Sequence, residues 1–130
     1  PKLAAFAEYE VADVNNAAAK YTELLNGVVA TPVIPEGFLS SWAQYTIKLE
    51  SGEQRDALQT QLKEKSIPSM IYYPKQMHNQ EAFCDENKYG IDYPVTNRLC
   101  DTVLSLPIHP YISDDDVEEV VSVIKEFLGK

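Results

Sequence analysis

Cysteine, histidine and clustered positive charge are all scarce in this chain, and each scarcity removes a class of function. The only cysteines are Cys84 and Cys100, with no CxxC pair and no histidine at ligand spacing. That pattern indicates neither a zinc site nor a disulfide framework, and both are read as reduced thiols in packing or surface roles. Eleven Lys and Arg stand against 20 Asp and Glu, a formal charge of −9. A nucleic-acid surface needs Lys and Arg clustered to neutralise phosphates, and no basic patch is present. No apolar run approaches the length of a membrane span, and the opening PKLAAFAEYE lacks the basic-then-hydrophobic order of a signal peptide. The expectation is a cytoplasmic protein without nucleic-acid or membrane partners. Gly-rich phosphate loops, GxSxG and HExxH are missing as well, so no local motif supplies a nucleophile with its base.

What is there is ordinary globular composition, 45% hydrophobic and 24% charged over 130 residues. A chain of that size forms one domain that buries roughly 65–70% of its unfolded surface. An amphipathic pattern is already in progress at Pro1, which suggests a chain cut from something longer. Leu3, Phe6, Ala7, Val14, Ala18, Tyr21, Leu24 and Leu25 follow helical spacing until Asn26-Gly27 ends it. A helix of that length is long for so small a domain and suits a connection to another part. Pro32, Pro35 and Gly37 then impose an extended crossing loop.

WAQYTIKLE, Trp42 to Glu50, alternates Trp42, Gln44, Thr46 and Lys48 against Ala43, Tyr45, Ile47 and Leu49, the pattern of a strand. Ser51 with Gln54 has the form of a capping box, and Ala57, Leu58 and Leu62 share a helical face until Ile67-Pro68. SMIYYP, Ser69 to Pro74, reads as a second strand, Val95 to Cys100 as a short helix, and TVLSLPI, Thr102 to Ile108, as a third strand. Ser113 and Asp116 cap a last helix whose stripe is Val117, Val120, Val121, Ile124 and Leu128, with Gly129 beyond it. The order predicts an α+β fold, a small three-stranded, mainly antiparallel sheet covered by helices. The domain is expected over 1–130, with 1–26 a connecting helix and 41–130 the sheet and its helices.

The stretch SMIYYPKQMHNQ concentrates aromatic and hydrogen-bonding groups where neither a strand core nor a solvated loop would. Period two sends Tyr72 and Tyr73 to opposite faces, so one ring in the core and one outside is the plain reading, and a ligand wall the functional one. His78 and Gln80 follow on a loop, where binding groups concentrate. His109, between Ile108 and Pro110, reads as a packed or hydrogen-bonded turn residue, and Asp114 to Asp116 as helix capping.

Taken in order, SSWAQYTIKL, RDALQTQLKEKSIP, IYYPKQMHNQ and YPVTNRLCDTVLSLPIHPYISDDDVEEVV resemble the C-terminal part of the DegT/DnrJ/EryC1/StrS family of nucleotide-sugar aminotransferases. The resemblance covers nearly the whole chain. It implies the small domain of a pyridoxal-phosphate enzyme of fold type I that moves an amino group from L-glutamate to a keto-sugar nucleotide, in amino-sugar or bacterial surface polysaccharide synthesis. It also implies a large cofactor-binding domain, upstream of this chain, that carries the Schiff-base lysine, and a homodimer at full length. Tyr72 and Tyr73 match the family's aromatic pair near the nucleotide-sugar, and His78 and Gln80 match its His-x-Gln, which marks all four as substrate-binding. No residue of this chain is expected to be catalytic, cofactor-binding or metal-binding, so the chain alone should be inactive. At Gln76 and Met77 the sequence departs from the family's common Pro-Leu. Two other readings are a free-standing ligand-sensing module and an interaction domain with Tyr72, Tyr73 and Met77 as its patch. A sensing module requires a sealed first helix, whereas a small domain predicts an exposed apolar stripe on it.

Overall fold

One antiparallel pair organises the molecule. The computed structural model describes residues 2–83 and 92–130. In it β1 (Tyr45–Lys48) pairs with β2 (Val103–Leu106), Tyr45 opposite Leu106, Thr46 opposite Ser105, Ile47 opposite Leu104 and Lys48 opposite Val103. Because side chains alternate across a strand, Tyr45, Ile47, Leu104 and Leu106 share one face, and all four are buried. Thr46 and Ser105 share the other face, where their hydroxyls hydrogen-bond at 2.8 Å. The buried face meets Tyr21 and Leu25, Leu58 and Leu62, and Val117, Val121 and Ile124 in a single core. These residues belong in turn to α2 (Val11–Leu24) and the turn after it, α3 (Gly52–Glu64) and α5 (Asp114–Leu128). The α+β architecture with helices on one face is as the sequence predicts.

Among the described residues the sheet has two strands rather than three. The strand expected over Ser69 to Pro74 contracts to one bridge, in which the Met70 N–H donates to Ser105 O at 3.0 Å and the Ser105 N–H to Met70 O at 2.9 Å. Pro68 and Pro74 carry no N–H to extend the ladder on either side. A second bridge, Ala30 with Lys48, closes the other edge. β1 is also shorter than expected, because Trp42 takes φ 48° and leaves the extended path. Its ring packs on Tyr45 at 5.4 Å and its Nε1 donates to Asn15 Oδ1 at 2.9 Å.

The first helix runs from Lys2 to Leu24 in three parts: α1 (Lys2–Ala5), a π turn (Phe6–Glu10) and α2. At the turn the Val11 N–H donates to Phe6 O, five residues back. Only the C-terminal half of its stripe is covered. Val14, Ala18, Tyr21 and Leu25 are buried, while Leu3 is 81% exposed and Phe6 and Tyr9 are also open.

Local caps behave as the sequence indicates. Ser113 and Asp116 bond reciprocally at the start of α5, and Gly129 ends it at φ 67°, a left-handed conformation that suits glycine. Ser51 Oγ accepts from the Gln54 N–H at 3.2 Å, although the Gln54 amide reaches back to the N–H of Glu50 rather than of Ser51. Lys20 joins α2 to α5 through Glu118 at 2.7 Å and Asp114 at 3.0 Å, so Asp114 does more than cap. The short helix, α4 (Pro94–Thr102), begins with proline at a position where no N–H is needed. Cys100 is free and buried, and Cys84 lies outside the described residues.

Candidate functional site

Alternation carries a set of side chains beyond the strand ends onto the face that the helices leave open. From Thr46 it leads back to Gln44, from Ser105 on to Pro107 and His109, and from the Met70 bridge on to Tyr72. Gln44, Met70, Tyr72, Ser105, Pro107 and His109 border one cleft of about 300 Å³. Ile71, between Met70 and Tyr72, turns the other way and packs on the core. Among the described residues no Asp, Glu, Lys or Arg lines the cleft; its polar side chains are the Gln44 amide, the Ser69, Ser105 and Tyr72 hydroxyls and the His109 imidazole. An uncharged wall with a few hydrogen-bonding groups orients a neutral polar ligand, and it has no charge to set against a phosphate.

Of the four residues predicted from sequence, Tyr72 borders this cleft. Tyr73 points elsewhere and is 72% exposed. His78 sits in a single 3₁₀ turn (Met77–Asn79), half-buried, with its ring 4.8 Å from that of Tyr93. Gln80 is exposed, and its backbone N–H closes that turn onto Met77 O at 3.2 Å. The segment is tied to α4 through Gln76, whose amide nitrogen donates to Asn97 O at 3.5 Å and whose amide oxygen accepts from Asn79 Nδ2 at 3.2 Å. A proline at position 76 could make neither bond, so the departure from Pro-Leu carries its own tether.

Two cleft residues escaped the sequence reading. His109 does make the expected turn bond, its Nδ1 accepting from the Tyr111 N–H at 3.2 Å, but it also borders the cleft. Gln44 does so too. The alternation of WAQYTIKLE and LSLPIH contains both, provided it is followed past the strand ends.

The rim is braced from the first helix. Tyr21 donates from its hydroxyl to Pro107 O at 3.1 Å, its ring fully buried and stacked on Tyr45 at 5.0 Å. Burial pushes the Tyr21 phenol well above its ordinary range. Farther along, Glu10 in the π turn is buried, and its carboxylate accepts from Lys2 Nζ and from the Tyr111 hydroxyl. The bond from Lys2, and then that from Tyr111, hold the Glu10 carboxyl below its ordinary value, while the carboxylate raises the Tyr111 phenol. A carboxylate held between a cation and a phenol fixes the turn that carries His109.

The model of the DegT/DnrJ/EryC1/StrS aminotransferase family matches residues 2–125. Over 125 residues the chain is 32% identical to the UDP-2-acetamido-2-deoxy-3-oxo-D-glucuronate aminotransferase of Pseudomonas aeruginosa, which covers 95% of this chain and 33% of that enzyme. A solved DegT DnrJ EryC1 StrS aminotransferase from Brucella abortus superposes with a TM-score of 0.83 at 40% identity, over 93% of this chain and 32% of the other. NtdA of Bacillus subtilis, solved with its cofactor PMP bound, shares the fold at a TM-score of 0.72 and 23% identity, over 93% and 28%. The chain thus spans about a third of the length of the relatives it matches. Among the described residues no helix is long and apolar enough to cross a membrane.

Proposed function

The chain belongs to the DegT/DnrJ/EryC1/StrS aminotransferase family, and from that premise we propose that it is the C-terminal small domain of an enzyme that aminates a keto-sugar nucleotide. L-Glutamate is the amino donor, and the products serve amino-sugar or bacterial surface polysaccharide synthesis in the cytoplasm. The observation that carries the reading is the uncharged cleft bordered by Tyr72 on the open face of the sheet. Its hydroxyl, amide and imidazole groups suit a sugar ring, and Tyr72, the first of the aromatic pair matched to the family, supplies part of its wall. Tyr73, His78 and Gln80 lie outside the lining, on the same segment as Tyr72.

Pyridoxal phosphate supplies the electron sink when bound, but the residues here do not fit it. Among the described residues the cleft has no lysine to form an imine and no Lys or Arg to hold a phosphate. The cofactor belongs to a large domain, and no catalytic step runs through this chain. What its residues contribute is orientation of the sugar and exclusion of water, which raise the effective concentration of the reacting atoms. The bare half of the first helix, with Leu3, Phe6 and Tyr9 exposed, is where that large domain or the second subunit of a homodimer would sit. A self-contained sensing module would have sealed it.

Single-turnover kinetics of the full-length enzyme test the reading. The amino-donor half-reaction does not involve the sugar, so it should run at the wild-type rate in Tyr72→Phe and His78→Ala. The keto-sugar half should slow about 2- to 10-fold in Tyr72→Phe, the loss of one hydrogen bond of about 0.5–1.5 kcal/mol. Equal slowing of both halves would place the segment against the cofactor, and no slowing in either variant would return it to ordinary packing.

A further inference from the structure

The cleft that Tyr72 borders also holds a histidine, His109, whose proton the fold assigns. A backbone N–H can only donate, so His109 Nδ1, which receives the Tyr111 N–H at 3.2 Å, is an acceptor. A neutral imidazole with Nδ1 accepting carries its hydrogen on Nε2. Nε2–H is then the group that the ring has left to offer a ligand. The turn that sets this tautomer is braced at its far end, because the Tyr111 hydroxyl is engaged by the buried Glu10 carboxylate of the π turn. The Gln44 amide and the Tyr72 hydroxyl line the same cleft, and among the described residues no charged residue joins them.

We infer that His109 is a ligand-binding residue of this cleft, its Nε2–H donating to a neutral oxygen, hydroxyl or carbonyl, of the sugar ring rather than to the diphosphate. Glu10 and Tyr111 are its positioning residues. The inference rests on the nucleotide-sugar reading above and extends it by naming which end of the ligand the cleft meets. A diphosphate would gain no opposing charge here, whereas a ring with several hydroxyls finds a donor, an amide and a phenol within one cavity of about 300 Å³.

Two isosteric substitutions separate the two nitrogens. In His109→Asn the side-chain oxygen can still accept from the Tyr111 N–H, but the ligand-side donor is gone. In His109→Gln an amide N–H reaches about as far as Nε2. With the full-length protein and UDP-N-acetylglucosamine as probe, titration calorimetry should show affinity falling about 3- to 10-fold in His109→Asn, the usual range for one hydrogen bond, and staying within about 2-fold in His109→Gln. UDP alone should bind all three proteins equally. Nitrogen-15 NMR of the wild type should show the Nε2–H tautomer. Equal affinity for the probe in all three, an Nδ1–H tautomer, or a parallel loss of UDP binding would each overturn the role of His109 while leaving the nucleotide-sugar reading intact. A wild type that binds neither UDP-N-acetylglucosamine nor UDP would overturn that reading, and this inference with it.

Discussion

Replacing Tyr21 with phenylalanine removes one oxygen from the centre of the molecule and isolates the bond that ties the first helix to the cleft. The ring is 0% exposed, and phenylalanine keeps both its volume and its stacking on Tyr45. What is lost is the donor to Pro107 O at 3.1 Å. Pro107 is half-buried and borders the cleft, so its carbonyl can regain a water. The cost should therefore fall in the range of a net hydrogen bond, about 0.5–1.5 kcal/mol, and not reach the higher cost of a sealed, unpaired group. For 130 residues an unfolding entropy of about 2.1 cal/mol/K per residue gives about 0.27 kcal/mol/K, so Tm should fall by about 2–6 °C. Tyr21→Ala, which also empties the ring's volume, should cost about 3–5 kcal/mol. Thermal and urea unfolding followed by circular dichroism measure both. An unchanged Tm in Tyr21→Phe would show that the bond holds nothing, and a loss as large as that of Tyr21→Ala would show that the carbonyl is sealed from water.

Two further outcomes follow from the brace and the core. Glu10 titrates below its ordinary value of 4.5 in the fold, so its stabilisation is fully present above that pH and is lost as pH falls through the lower folded value. The stability gap between wild type and Glu10→Gln should be widest near neutrality and close in acid, and urea midpoints that stay a fixed distance apart would refute the pairing with Lys2 and Tyr111. Leu104 is 0% exposed and Leu99, five residues before it in the chain, 41% exposed. Truncating Leu104 to alanine loses about three methylene equivalents at about 0.8 kcal/mol each, plus a cavity, about 3–4 kcal/mol in all. Leu99→Ala should cost less than about 1 kcal/mol, and equal urea midpoints for the two would contradict the placement of the core.

Features that depend on a few neighbouring residues were settled by the sequence. Ser113, Asp116 and Gly129 delimit α5 because a cap needs only its own turn. The alternation of WAQYTIKLE sends Tyr45, Ile47 and Leu49 inward because the pleat has period two. Order along the chain also carried the family resemblance, which brought Tyr72 forward. The extent of pairing was beyond local reading. Whether SMIYYP makes a strand or one bridge depends on how many N–H groups meet Ser105 and its neighbours across the sheet, and Pro68 and Pro74 withhold theirs. The cleft is likewise a product of register. Thr46 meets Ser105 across 59 positions, and only that meeting lays Gln44 beside His109 and the end of the Met70 bridge. Glu10 and Tyr111 are 101 positions apart, so no spacing rule links a carboxylate in a helical run to a phenol after a proline. Tertiary packing brought them together, because a buried carboxylate is stable only where the fold delivers donors to it.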